Sequence, residues 1–161
     1  MFNNSVNKSL LQKLVNSKPS AKCLIKGRDG FNDLAGIIDF FDFGNEVVLV
    51  GSISNLPITK TNIFGFHIHE NGLCDGDFAS AGEHLGAGSH PNHKGDLPPL
   101  FSSNENAFLV FATNRFSIND IVGKSIIIHE NPDDFTTQPS GNSGARIACG
   151  IIEKVWVSKN S

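Results

Sequence analysis

The stretch GFHIHENG, residues 65–72, places His67 and His69 one residue apart in an apolar, strand-like run. Side chains alternate across a strand with a period of two, so both imidazoles project to one face. Alone, the pair is either a hydrogen-bonded couple of core or rim histidines or part of a metal site. The other four histidines are His84, His90, His93 and His129, and the first sixty residues contain none. His84, His90 and His93 fall in a stretch dense in Gly, Asp and Pro, with Asp96 three residues after His93, and His129 ends the run KSIIIH. Imidazole suits copper and zinc, and a carboxylate can complete a zinc tetrahedron. The competing reading of the His90–His93–Asp96 group is a solvated polar loop.

Cys23, Cys74 and Cys149 form no CxxC pair, so a thiolate zinc site has no support. An odd count beside an N-terminal stretch without a secretory-type apolar block gives free thiols in a reducing compartment, and hence a cytoplasmic protein, as the first expectation. With 13 Lys and Arg against 16 Asp and Glu, net charge −3, the chain offers no basic field for nucleic acid and no polybasic membrane patch. Nor does it contain the run of about 18 apolar residues a membrane helix needs.

The elements that must position these groups are strands. AKCLIKG (21–27), LAGIIDFFDF (34–43), EVVLVGSI (46–53), IFGFHIHE (63–70), AFLVFAT (107–113), KSIIIHE (124–130) and RIACGIIEKVWV (146–157) are short, β-branched and aromatic runs separated by turn residues. They predict an all-β Greek-key barrel or sandwich of about eight antiparallel strands. VVLVGSI and FLVFA are too apolar for one-sided strands, which leaves some outward residues for a partner subunit. Two long segments, 71–105 and 131–145, read as functional loops; a loop as long as the first needs a function or an internal tie, and a bound ion supplies one. Residues 1–20 form an N-terminal extension, unstructured or a short helix with Val6, Leu10, Leu11, Leu14 and Val15 on one face. The domain proper covers 21–161.

Taken together, GFHIHENG, SAGEHLGAGSHPNHKGDLP, KSIIIHENPDD and GNSGARIACGII resemble the signature stretches of copper–zinc superoxide dismutases, over about residues 21–153. The resemblance implies copper held by His67, His69, His84 and His129, and zinc held by His84, His90, His93 and Asp96, with His84 bridging the two. It implies dismutation of superoxide anion to O₂ and hydrogen peroxide, with Arg146 holding the anion and His84 and water as proton sources. Read alone, Arg146 would be an exposed surface arginine. Asp133 matches a carboxylate that orients ligands of both metals; as a turn-forming residue after Pro132 it is equally natural, and both roles are compatible. Cys74 and Cys149 match the family's disulfide, which overrides the reducing-compartment expectation for those two thiols, while Cys23 matches a buried free thiol. A homodimer is implied, with the first strand, the region near Gly51 and the C-terminal strand meeting across an apolar face, as is a copper-delivery partner.

Departures from the family pattern are local. Five residues separate His84 from His90 and two separate His90 from His93, a shorter loop than in most members; Gly82, Gly86 and Gly88 are expected to let it bend. Glu83 stands where Pro or Gly is usual. The 131–145 loop lacks the Glu and Lys residues that shape the field in many eukaryotic members, so Arg146 carries more of the attraction. The second reading is a non-enzymatic copper- and zinc-binding relative, a metal buffer or decoy of copper delivery. Such relatives lose copper ligands or the arginine, and neither is lost here. A third is a β-sandwich interaction module with incidental histidines.

Overall fold

The computed structural model describes residues 12–156. Nine strands run in chain order: β1 Ala21–Gly27, β2 Ala35–Asp42, β3 Val47–Ser54, β4 Ile63–Phe64, β5 Phe66–His69, β6 Leu100–Phe101, β7 Ala107–Thr113, β8 Ser125–His129 and β9 Arg146–Lys154. A single-turn helix, α1 Ile118–Ile121, and a 3₁₀ turn, Ala79–Ala81, lie between strands. Seven strands form one antiparallel sheet in the order β5-β8-β9-β1-β2-β3-β7, and β4 pairs with β6 in a two-stranded sheet. The chain leaves β3 at one side and resumes at β5 on the far edge, then crosses back between β7 and β8, which gives the sheet Greek-key crossovers. Ile25, Phe40, Leu49, Phe64, Ile68, Leu100, Ala107, Ile126 and Ile152, one from each strand, share a single core, so the sheet is curled around it.

The expected all-β architecture holds, with nine strands among the described residues. The run 63–70 divides at Gly65, whose N–H donates to Asn131 O, and β6 lies inside the stretch expected to be loop. Within the extension, residues 12–15 are helical and Ser17 Oγ donates to Lys13 O. Val15 is 82% exposed, while Val6, Leu10 and Leu11 lie outside the described residues.

Gly51 sits mid-β3 with β2 between it and β1, and a Cβ there would meet Ile38 and Leu109. Gly51 itself therefore faces the core, and in the region near it the exposed Ser52 faces outward. On β1 and β9, by contrast, Leu24 and Ile151 are exposed.

β5 and β8 are buried on both faces. Phe66, Ile68, Ile126 and Ile128 fill the core, while His67, His69 and Ile127 lie on the opposite face beneath the two long loops. That burial of the outer face creates the site.

Candidate metal centre

Antiparallel pairing of β5 with β8, Phe66 opposite Ile128 and His69 opposite Ser125, fixes His67 and His69 against the strand that ends in His129. These three and His84 offer ligand atoms within 4.8 Å of one another, all on buried residues. His67 Nε2 donates to Asp133 Oδ2 at 2.8 Å, which leaves Nδ1 as its free base, and that atom is buried without a partner. His69 Nδ1 donates to Gly82 O at 2.9 Å and His129 Nδ1 lies 3.4 Å from Gly144 O, so their Nε2 atoms, 3.4 Å apart, turn lone pairs toward a common point. Two such acceptors facing each other in a dry site repel unless a cation lies between them. Burial holds His69 near a pKa of about 2 and His129 near about 3, and lowers His67 against the opposing pull of Asp133. Neutral imidazole is the ligating form.

The second group is His84, His90, His93 and Asp96, again with ligand atoms within 4.8 Å and all buried. Asp96 Oδ1 lies 2.7 Å from His84 Nδ1 and 3.2 Å from His90 Nδ1, and Oδ2 lies 3.2 Å from His93 Nδ1. His90 Nε2 donates to Asp133 Oδ1 at 2.7 Å and His93 Nε2 to Gly88 O at 3.2 Å, which turns both Nδ1 atoms inward. Those two Nδ1 atoms and His84 Nε2 are buried without hydrogen-bond partners. Buried polar atoms are rarely left unpaired; four converging imidazole nitrogens in that condition, His67 Nδ1 included, fit a pair of imidazole-ligated cations. Three nitrogens and a carboxylate in the second group suit zinc, and four imidazoles in the first suit copper. His84 belongs to both groups.

The loop that carries the second group is laid along the free edge of β5. Ile68, between the two strand histidines, donates its N–H to Gly95 O at 2.9 Å and accepts from Leu85 N–H at 2.8 Å. Gly95 must lack a side chain, because a Cβ would run into Ile68 O. Gly82, Gly86 and Gly88 all have positive φ, 77°, 104° and 122°, a region other residues rarely enter. Asp133 spans the groups, one oxygen on His67 and the other on His90, and the many donors around it hold its carboxyl below the ordinary range against the cost of burial. Such a carboxylate fixes ring orientation and raises ligand basicity.

Arg146, the first residue of β9, stands opposite His129 across a β-bulge. Its guanidinium is not free on the surface: Nη1 donates to Phe78 O at 2.6 Å and Nη2 to Gly82 O at 2.7 Å. Gly82 O therefore joins His69 and Arg146. A cavity of about 390 Å³ opens here, lined by Arg146, Arg28, Glu83, Asp77, Gly82 and Gly144 among others. Cys74 and Cys149 are disulfide-bonded, Cα–Cα 5.7 Å, and pack with Phe78, Ala81 and Ile127, so the bond holds the segment that presents Phe78 O and Gly82 O. Cys23 is a buried free thiol whose pKa burial pushes up. Sequence reasoning did not single out Arg115, Gln138 or the Gly82 carbonyl; nothing in their type marks them.

Comparison with known proteins agrees with this geometry. The family model described as copper/zinc superoxide dismutase matches residues 34–152. A Cu-Zn superoxide dismutase of Caulobacter vibrioides is 33% identical over 154 residues, covering 83% of this chain and 86% of that protein. Cu-Zn superoxide dismutase 5 of Dictyostelium discoideum is 35% identical over 153 residues, 83% of this chain and 96% of the relative. A Deinococcus radiodurans Cu-Zn superoxide dismutase is 33% identical over 151 residues, 73% and 83% of the two chains.

Proposed function

The chain belongs to the copper/zinc superoxide dismutase family, and from that premise we infer that it converts superoxide to O₂ and hydrogen peroxide. The observation that carries the reading is His84, a member of both buried groups, with Nδ1 turned to Asp96, Nε2 buried without a partner and its ring centroid 4.0 Å from that of His67. His67, His69, His84 and His129 would hold copper; His84, His90, His93 and Asp96 would hold zinc. Bound there, copper would supply one-electron exchange with superoxide, while zinc would be redox-silent.

The protein's own residues do the rest. Arg146, fixed by two carbonyls and half-buried, offers its remaining guanidinium surface to a small anion entering the cavity. Glu83 and Asp77 act on the same guanidinium and temper that attraction. His84 Nε2 is the atom at which a proton can be held and passed to the reduced dioxygen species, with water from the cavity as the second donor. Asp133 keeps His67 and His90 aimed, so both groups share one orienting carboxylate.

Arg146→Leu tests the assignment. Metal content should stay at one copper and one zinc per chain, while superoxide consumption falls tenfold or more, roughly the lower bound of what focusing an anion into a charged cleft contributes. Unchanged turnover removes Arg146 from the mechanism. Wild-type protein carrying both metals without consuming superoxide would favour the metal-buffer reading. A homodimer joined through the exposed Leu24 and Ile151 on neighbouring strands is the second part of the reading. Leu24→Glu should halve the mass measured by sedimentation equilibrium, and a wild-type monomer at micromolar concentration would remove it.

A further inference from the structure

Two polar side chains close to the loop group have no part in the chemistry above. Arg115 follows β7, where its N–H donates to Thr113 Oγ1 at 3.1 Å, so its base is set by the sheet. Its Nη1 lies 3.4 Å from Pro91 O, 3.4 Å from His93 O and 3.1 Å from Asp96 O. Three carbonyl dipoles aimed at one point repel each other unless a cation occupies it. Gln138, in the 131–145 loop, accepts the His90 N–H on Oε1 at 2.9 Å and donates from Nε2 to His90 O at 2.7 Å. One amide thus closes both peptide groups of His90, as a neighbouring strand would.

We propose that Arg115 and Gln138 are positioning residues that hold the short 84–96 loop in its zinc-ligating shape; the inference rests on reading the loop group as a zinc site. Each ligand then has a backbone anchor, one of them shared by His93 and Asp96. His84 is carried by the pairing of Leu85 with Ile68, His90 by Gln138, and His93 and Asp96 by Arg115. None of these anchors depends on chain within the loop itself. Within the loop Asn92 N–H donates to Ser89 O, Asp96 N–H to His93 O, Gly95 N–H to Leu85 O and His93 N–H to Asp96 Oδ2, and the anchors from outside fix this small folded unit against the barrel. Charge matters at Arg115 and paired donor–acceptor geometry at Gln138.

The test is zinc affinity of copper-free protein by competition with a chromophoric chelator, with the visible spectrum of cobalt(II) bound in place of zinc as a second readout. Arg115→Gln and Gln138→Ala should each weaken zinc 10- to 100-fold, the usual range for partners that orient ligands, and each should alter the tetrahedral cobalt bands. The metal-free melting temperature should stay within a few degrees of wild type. Arg115→Lys, which keeps a cation, should recover at least half of the logarithmic loss. Zinc affinities within twofold of wild type in both variants overturn the proposal. So does a matching fall in metal-free stability, which marks a purely structural role, and so does an Arg115→Lys variant as weak as Arg115→Gln. Failure of the wild type itself to bind zinc would instead refute the zinc site.

Discussion

The strand group and the loop group are built from the same residue types but held by different means. His67, His69 and His129 sit on β5 and β8, strands locked by ladder hydrogen bonds and buried on both faces. Their positions are set by the barrel whether or not an ion is bound. His84, His90, His93 and Asp96 stand on a loop with two backbone links to β5 and a set of side-chain contacts from Asp133, Gln138 and Arg115. Asp96 within that loop is an acceptor surrounded by three imidazoles. A sheet preorganises ligands through cooperative pairing, whereas a loop must be fastened one contact at a time, and an ion that binds it also helps fold it.

The largest expected effect comes from the covalent link between the two regions. Cys74 and Cys149 lie 75 residues apart in sequence and tie the segment before His84 to β9. Closing a loop of that length stabilises by roughly 4 kcal/mol in the chain-entropy model. A Cys74→Ser, Cys149→Ser protein should lose about that much in denaturant unfolding. It should also lose turnover beyond its loss of metal, because Phe78 O and Gly82 O no longer hold Arg146. Undiminished stability would mean that the loop is already fixed without the bond, against the contrast drawn above.

Next in size is the response to metal removal. After chelation, amides of Ile126, Ile127 and Ile128 should keep their hydrogen-exchange protection. Those of Leu85, His90 and Gly95, bonded to Ile68, Gln138 and Leu85, should exchange about 100-fold faster. Equal loss in both regions would show that the strands, too, need the ion.

Legibility from sequence follows the same division. The runs at 21–27, 46–53 and 107–113 match β1, β3 and β7 to within a residue because short β-branched and aromatic runs bounded by turn residues encode the strand, although VVLVGSI and FLVFA are too apolar to mark which face turns inward. β6 escapes notice because it is two residues long and follows Pro98 and Pro99, a pair that signals loop. The histidines and Asp96 declare themselves by type, since few other uses gather so many imidazoles. Arg115 and Gln138 do not: an arginine after a strand and a glutamine in a loop are ordinary surface residues until the fold brings three carbonyls or a peptide unit to them. The inward-facing side of Gly51 is likewise a matter of register, since a glycine carries no side chain to mark its face.

The smallest effect separates the groups by their titration. In metal-free protein, burial lowers His69 to about 2 and His129 to about 3 from an ordinary value of 6.5, and lowers His67 in the same direction. Well above pH 6.5 folded and unfolded chains both carry neutral imidazoles, and these residues contribute no pH dependence. Below it the unfolded chain takes up protons that the folded chain refuses, so stability falls with pH until the folded values are reached. Each histidine contributes up to about 1.4 kcal/mol per pH unit, and the His69–His129 pair about 2 kcal/mol between pH 6.5 and 5.5. Asp96 and Asp133 behave differently. Their folded values lie below 3.8, so what they contribute is intact throughout that window and is lost only in stronger acid. Acid should therefore weaken the strand side first, although its ligands are the more firmly held. Calorimetry of metal-free protein from pH 7.5 to 4.5 measures the slope, and His129→Gln should reduce it by up to half. A flat profile between pH 7 and 5 would mean that water reaches the strand histidines, and their preorganisation by a dry barrel wall would fail with it.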